Sequence, residues 1–118
     1  MTQEVGYKKL VVWRKADELA MAIYRATKEF PKEELYGLTS QLRRAAVSVA
    51  VNLVEGAGRQ GRRELKQFTN ISLGSLAEVD YLLGFSNRLG YLSDTNYKQL
   101  DGQRQYTGAL LWKFYHSL

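Results

Sequence analysis

The chain has 118 residues, with 45% hydrophobic and 25% charged side chains and a net charge of +5, the composition of one ordinary globular domain. It has no cysteine, a single proline and no apolar run near the roughly 20 residues that span a bilayer, which excludes a disulfide frame, thiolate chemistry and a transmembrane helix. The first residues lack the apolar core of a signal peptide, so a cytoplasmic location is expected.

Met1 to Lys9 is polar and reads as a mobile segment, with Tyr7 and Leu10 positioned to tuck against the first helix. That helix is predicted over about 11–29. Trp13, Ala16, Ala20, Ile23, Thr27 and Phe30 alternate at three and four residues, the seam a bundle uses, with Val12 and Leu19 widening it. Phe30-Pro31 stops the helix, because the residue before proline is pushed out of helical geometry.

The second helix, about 37–57, has two stripes. Leu38, Leu42, Ala45, Val49 and Leu53 form a core-facing row, broadened by Ala46, Ala50 and Val54. Gln41, Arg44, Ser48, Asn52 and Glu55 form a polar row, either a solvated face or a set of partly buried, paired groups. The helix ends at Glu55-Gly56-Ala57-Gly58, where a glycine can take the left-handed C-terminal position. A basic cluster follows: Arg59, Arg62, Arg63 and Lys66.

The third helix, about 61–90, keeps strict alternation through Leu65, Phe68, Ser72, Ser75, Val79, Leu82, Ser86 and Leu89. Serines on a seam let a neighbouring helix come close, and their hydroxyls can bond a carbonyl of their own helix. Gly90 is a C-terminal cap, and Ser93 or Asp94 an N-cap for the fourth helix, about 94–117. There Tyr97, Leu100, Arg104, Thr107, Leu111, Phe114 and Leu118 continue the pattern. Arg104 on the seam, with Gly102 and Gly108, predicts the least stable helix, or one completed by a neighbouring subunit. Four amphipathic helices with short connections predict an all-α, antiparallel up-down-up-down four-helix bundle in a single domain spanning residues 1–118.

No catalytic or metal-binding constellation is present, and no cofactor is expected. His116 is the single histidine and reads as a surface residue, and Gly56-Ala57-Gly58 is a helix-ending turn, not a nucleotide fingerprint. The positive charge is concentrated: Arg43 to Lys66 holds Arg43, Arg44, Arg59, Arg62, Arg63 and Lys66 against Glu55 and Glu64 alone. Such a cluster attracts phosphate backbones without reading sequence. Folding the second and third helices about a turn near Gly58 brings Glu78 beside Arg43 or Arg44, and Glu55 beside Arg62 or Arg63. Charge-assisted pairs there would pin helix register. Tyr36, Tyr81, Tyr91, Tyr97, Tyr106 and Tyr115 exceed what so small a core can bury. The excess belongs on a subunit interface or, more rarely, against unpaired bases. Val11, Val12, Leu83 and Phe85 broaden the apolar surface past one seam, a further sign of self-association.

The segments YKKLVVWRKADELA, FPKEELYGLTSQLRRAAVSVAVNLVEGAGR and ISLGSLAEVDYLL, in this order and spacing, resemble the four-helix-bundle family of the 23S rRNA intervening-sequence proteins. Accessory proteins of diversity-generating retroelements are similar to the same family. The chain departs from many relatives at Val51 and in lacking a proline in a Ser-Ile-Pro-type run. The resemblance implies a ring assembly, typically a homopentamer, with no attached catalysis. It implies RNA or DNA as partner through the basic residues, or alternatively a scaffold role toward a protein such as a reverse transcriptase.

Overall fold

The computed structural model describes residues 6–118 and is all helical there: a short 3-10 turn at Gly6–Lys9, α1 at Val11–Thr27, a 3-10 turn at Lys32–Glu34, α2 at Leu38–Gly58, α3 at Arg62–Arg88 and α4 at Asp94–Ser117. Each long helix packs on two others, α1 on α2 and α4, and α3 on α2 and α4, which makes a four-helix bundle. Partners move backward along α3 as one moves forward along α2. Ser48 meets Ser75, the Val49 carbonyl meets Ser72, and Gly56 meets Leu65 and Phe68. The same opposed running joins α3 to α4, where Asp80 meets Arg104 and Leu76 meets Gly108.

The core takes most of the residues that the three-four alternation selects, together with Leu19 beside the α1 seam and with Val12 and Leu83, which were expected to broaden the exposed apolar surface and are buried instead. Ala16, Leu19 and Ile23 of α1, Leu42, Val49 and Leu53 of α2, Val79 and Leu83 of α3, and Leu111 of α4 are buried together. Burying one such leucine or isoleucine side chain contributes on the order of 1.5–3 kcal/mol. Leu89, expected on the α3 seam, is instead exposed, because α3 ends at Arg88 and the chain turns away at Gly90.

The connections are closed by specific chemistry. Gly90 takes φ +82°, and the Tyr91 and Gly90 amides donate to the Ser86 and Asn87 carbonyls, both at 3.0 Å. Ser93 then caps α4, accepting from the Asn96 amide at 3.1 Å. The end of α2 differs from expectation. Gly56 and Gly58 remain helical, and the left-handed residue is Gly61, at φ +110°, just before α3.

A mobile N-terminal segment was expected over Met1 to Lys9. Met1 to Val5 lie outside the described residues, whereas Gly6–Lys9 is an ordered turn that packs on α1 and α2. Tyr7 meets the Trp13 ring edge-on at 4.7 Å, and Leu10 packs against the core. Among the described residues no helix is long and apolar enough to cross a membrane.

Candidate functional site

Two places on the bundle gather polar chemistry. The first is the end where α2 finishes, α3 starts and α4 finishes. Arg59, Arg62 and Arg63 are exposed there and Lys66 is half-buried, as expected for a basic cluster split by a tight turn. The Arg59 guanidinium reaches Glu55 Oε2 at 3.9 Å and lies 5.2 Å from the Phe68 ring centre. Arg62 donates to the Ser117 main-chain carbonyl, and Lys66 sits 5.0 Å from the Tyr115 ring centre. These contacts position Arg59, Arg62 and Lys66, and the aromatic faces and the carbonyl do so without neutralising them, since neither carries a net charge. Among the described residues only Arg59 of the four approaches a carboxylate, and at that exposed separation the attraction is weak.

The structure adds α4 residues to this end that the sequence reading did not assign. Trp112 is 59% exposed and holds the His116 ring edge-on at 4.0 Å, while Tyr115 meets His116 at 5.1 Å. Lys113 is exposed beside them. Aromatic faces therefore alternate with cations around one end of the bundle. The weak amphipathic pattern of α4 concealed this grouping, because its outward aromatics read as surplus core.

The second place is a cleft of about 420 Å³ between α2 and α3, lined by Tyr36, Gln41, Arg44, Ser48, Ser75 and Glu78 among others. Its floor is tied by a Ser48–Ser75 hydroxyl pair at 2.9 Å, and Asn52 donates to the Ser48 carbonyl at 2.9 Å. The polar row on α2 is thus both things at once: half-buried and paired at Ser48 and Asn52, exposed at Gln41, Arg44 and Glu55. Ser72 bonds across to the Val49 carbonyl at 2.8 Å, whereas Ser86 bonds back to its own helix at Leu82.

Neither of the expected ion pairs forms among the described residues. Glu78 pairs with neither Arg43 nor Arg44 among the described residues. Arg43 points instead at α1, donating to Thr27 Oγ1 at 2.8 Å and the Tyr24 carbonyl at 3.3 Å, with its guanidinium 4.6 Å from the Tyr24 ring centre. One residue along a helix is a rotation of about 100°, so Arg43 and Arg44 serve different neighbours. Arg44 does share the cleft with Glu78, as the fold-back requires, but the two exposed groups do not close on each other. Glu55 pairs with Arg59, four residues on and just past the end of α2, and not with Arg62 or Arg63 beyond Gly61.

Arg104, which seemed misplaced on the α4 seam, is half-buried and partnered. It donates to Asp101 Oδ1 at 3.0 and 2.7 Å and lies 3.4 Å from Asp80 of α3. Burial alone would raise the Asp101 carboxyl, but hydrogen bonds from Arg104 and Gln105 and the guanidinium charge outweigh it and hold the group below its ordinary value. Among the described residues no group of three or more His, Cys, Asp or Glu side chains is arranged to hold a metal ion.

The model of the family described as 23S rRNA-intervening sequence protein matches residues 8–113. A crystal structure of a protein of unknown function from the S23 ribosomal protein family of Bacteroides thetaiotaomicron superposes with a TM-score of 0.83 at 24% identity, covering 90% of this chain and 96% of that one. That likeness establishes the shared fold. No curated protein matches the sequence.

Proposed function

The chain belongs to the 23S rRNA-intervening sequence protein family, and from that premise we propose that it is a non-enzymatic, nucleic-acid-binding protein that works as a homo-oligomer. The observation that carries the reading is the basic end of the bundle, where Arg59, Arg62, Arg63, Lys66 and Lys113 cluster and, of these, only Arg59 approaches a carboxylate among the described residues. Cations held in place but not neutralised release counterions from a phosphate backbone when they bind it. The alternating aromatics Trp112 and Tyr115 add faces on which unpaired bases can stack. RNA is the favoured target, on the family's description.

Self-association would multiply the charge of each chain at one rim. Val11 and Met21 of α1 and Tyr106 of α4 are exposed apolar side chains, and they suit a contact between copies.

The test is affinity for a structured RNA at two salt concentrations, with native mass recorded alongside. Replacing Arg59, Arg62, Arg63 and Lys66 together by Gln should flatten the slope of log affinity against log salt by up to about 3–4. Binding unaffected by those replacements, or absent at low salt, sinks the reading.

A further inference from the structure

We infer that the α2–α3 cleft is a receptor for one unpaired guanine nucleotide of a bound single strand, with Glu78 on the base edge, Arg44 on a phosphate and Tyr36 against the base. The inference rests on the nucleic-acid reading above and adds to it a site with base preference.

The cleft carries two opposite charges that do not satisfy each other. Arg44 and Glu78 line the same 420 Å³ space, yet neither forms an ion pair or hydrogen bond with another described residue. Its volume lies within the usual range for a small-molecule site. The lining excludes simpler occupants. Ser48, Ser75 and Gln41 make it too polar for an apolar ligand. Glu78 repels a lone phosphate, and Arg44 repels a metal ion.

What fits is a group with an anion at one end and adjacent N–H donors at the other. Guanine presents two neighbouring donors, N1–H and the 2-amino group, to a carboxylate that only accepts. Adenine and cytosine offer one donor beside an acceptor, and uracil one donor between two acceptors, so each would set an acceptor against Glu78. The guanidinium of Arg44 suits phosphate, and the cleft also borders the first turn of α2, where the helix dipole favours negative charge. Tyr36 is 94% exposed at this edge, a cost in water that a stacked base would offset.

The cleft and the basic end are on one path. Arg44 lies about 22 Å along α2 from Arg59, at about 1.5 Å per residue. Val51 and Ile71 are exposed between them, an apolar track for a few nucleotides of extended strand. A strand anchored at the basic end therefore reaches the cleft without bending.

The experiment is fluorescence anisotropy of the full chain with labelled uridine-rich heptamers carrying one central guanine, inosine or adenine. Inosine lacks only the 2-amino group. The guanine heptamer should bind about tenfold or more tighter than the inosine one, the worth of a hydrogen bond to a charged acceptor. Glu78→Gln should collapse the preference for guanine over inosine and tighten the adenine heptamer, because the amide offers a donor beside an acceptor where the carboxylate only accepts. Tyr36→Ala, at a position too exposed to disturb folding, should weaken the guanine heptamer by about tenfold. Equal binding of the three heptamers, still lost on removing Arg59, Arg62, Arg63 and Lys66, overturns the guanine site and leaves the basic-end reading standing. No binding of any heptamer or of structured RNA at low salt removes the basic-end reading and the guanine site with it. A change of native mass in Glu78→Gln or Tyr36→Ala with base preference intact shows the cleft covered by a second copy, and also overturns the site.

Discussion

The Tyr91 hydroxyl donates to Glu34 Oε2 at 3.1 Å, joining the connection before α2 to the connection before α4. The other carboxylate oxygen of Glu34 accepts from the Leu38 amide at 3.2 Å and so caps α2, while Phe30 packs on Tyr91 with ring centres 5.5 Å apart. One acidic side chain thus closes a helix and ties two loops at the end of the bundle opposite the basic cluster. The hydrogen bond to Glu34, then burial, then the charges of Glu34 and Glu33 raise the Tyr91 phenol above its ordinary 10.0.

A raised phenol contributes stability that is present below its unfolded value and lost as pH climbs through the folded one. Tyr91→Phe should therefore lower the thermal midpoint by a constant small amount from pH 7 to 9. The gap to the parent should close above pH 10, where the parent loses its own contribution. Thermal melts across that range check it, and a gap that widens with alkalinity contradicts the assignment.

At Gly56, α2 lies close against α3. A Cβ there would meet Leu65 Cδ1 and Phe68 Cβ, each at 2.9 Å, whereas a Cβ on Gly74 of α3 would meet nothing within 4 Å. Two glycine-to-alanine changes in helices should then move stability in opposite directions. Gly74→Ala should stabilise by about 0.5–1 kcal/mol through helix propensity alone. Gly56→Ala should lose that gain to overpacking of about 1–3 kcal/mol, for a net loss in denaturant melts. A stabilising Gly56→Ala would mean the helices separate at no cost.

The acidic limb of stability should follow Asp101. A carboxyl held below its ordinary 3.8 by Arg104 and Gln105 contributes stability above its unfolded value and loses it as pH falls through the folded one. Asp101→Asn should cost about 1–2 kcal/mol at pH 7, the worth of hydrogen bonds to a charged partner. The difference from the parent should shrink below about pH 4. A difference independent of pH between 7 and 3 would place the contribution in packing.

These residues also show how far the sequence can be read. The core of α1 and α2 was legible because burial on a helix leaves a periodic trace, and Leu42, Val49 and Ile23 fall on it. The order of Arg59 to Lys66 at a helix junction was legible for the same reason. Pairings were not. Arg43 and Arg44 are adjacent in sequence, and which of them faces α1 depends on helix rotation that periodicity fixes only loosely. Gly56 read as a stop signal because glycine ends many helices. Its actual task, admitting Leu65 and Phe68, exists only once α3 is in place. Arg104 looked like a fault in the α4 seam until Asp80 arrived from α3 to meet it.

Trp112 separates two modes of binding at the basic end. It is 59% exposed beside Lys113 and His116 and lies outside the buried core. Stacking of one base on an indole is worth about 1–3 kcal/mol, and only an unpaired base can offer its face. Trp112→Ala should therefore weaken single-stranded RNA by about tenfold or more at fixed salt while leaving duplex RNA within about twofold. The salt slope should be unchanged for both, because no cation is lost. Equal weakening of single and double strands would instead assign Trp112 to positioning the cations around it.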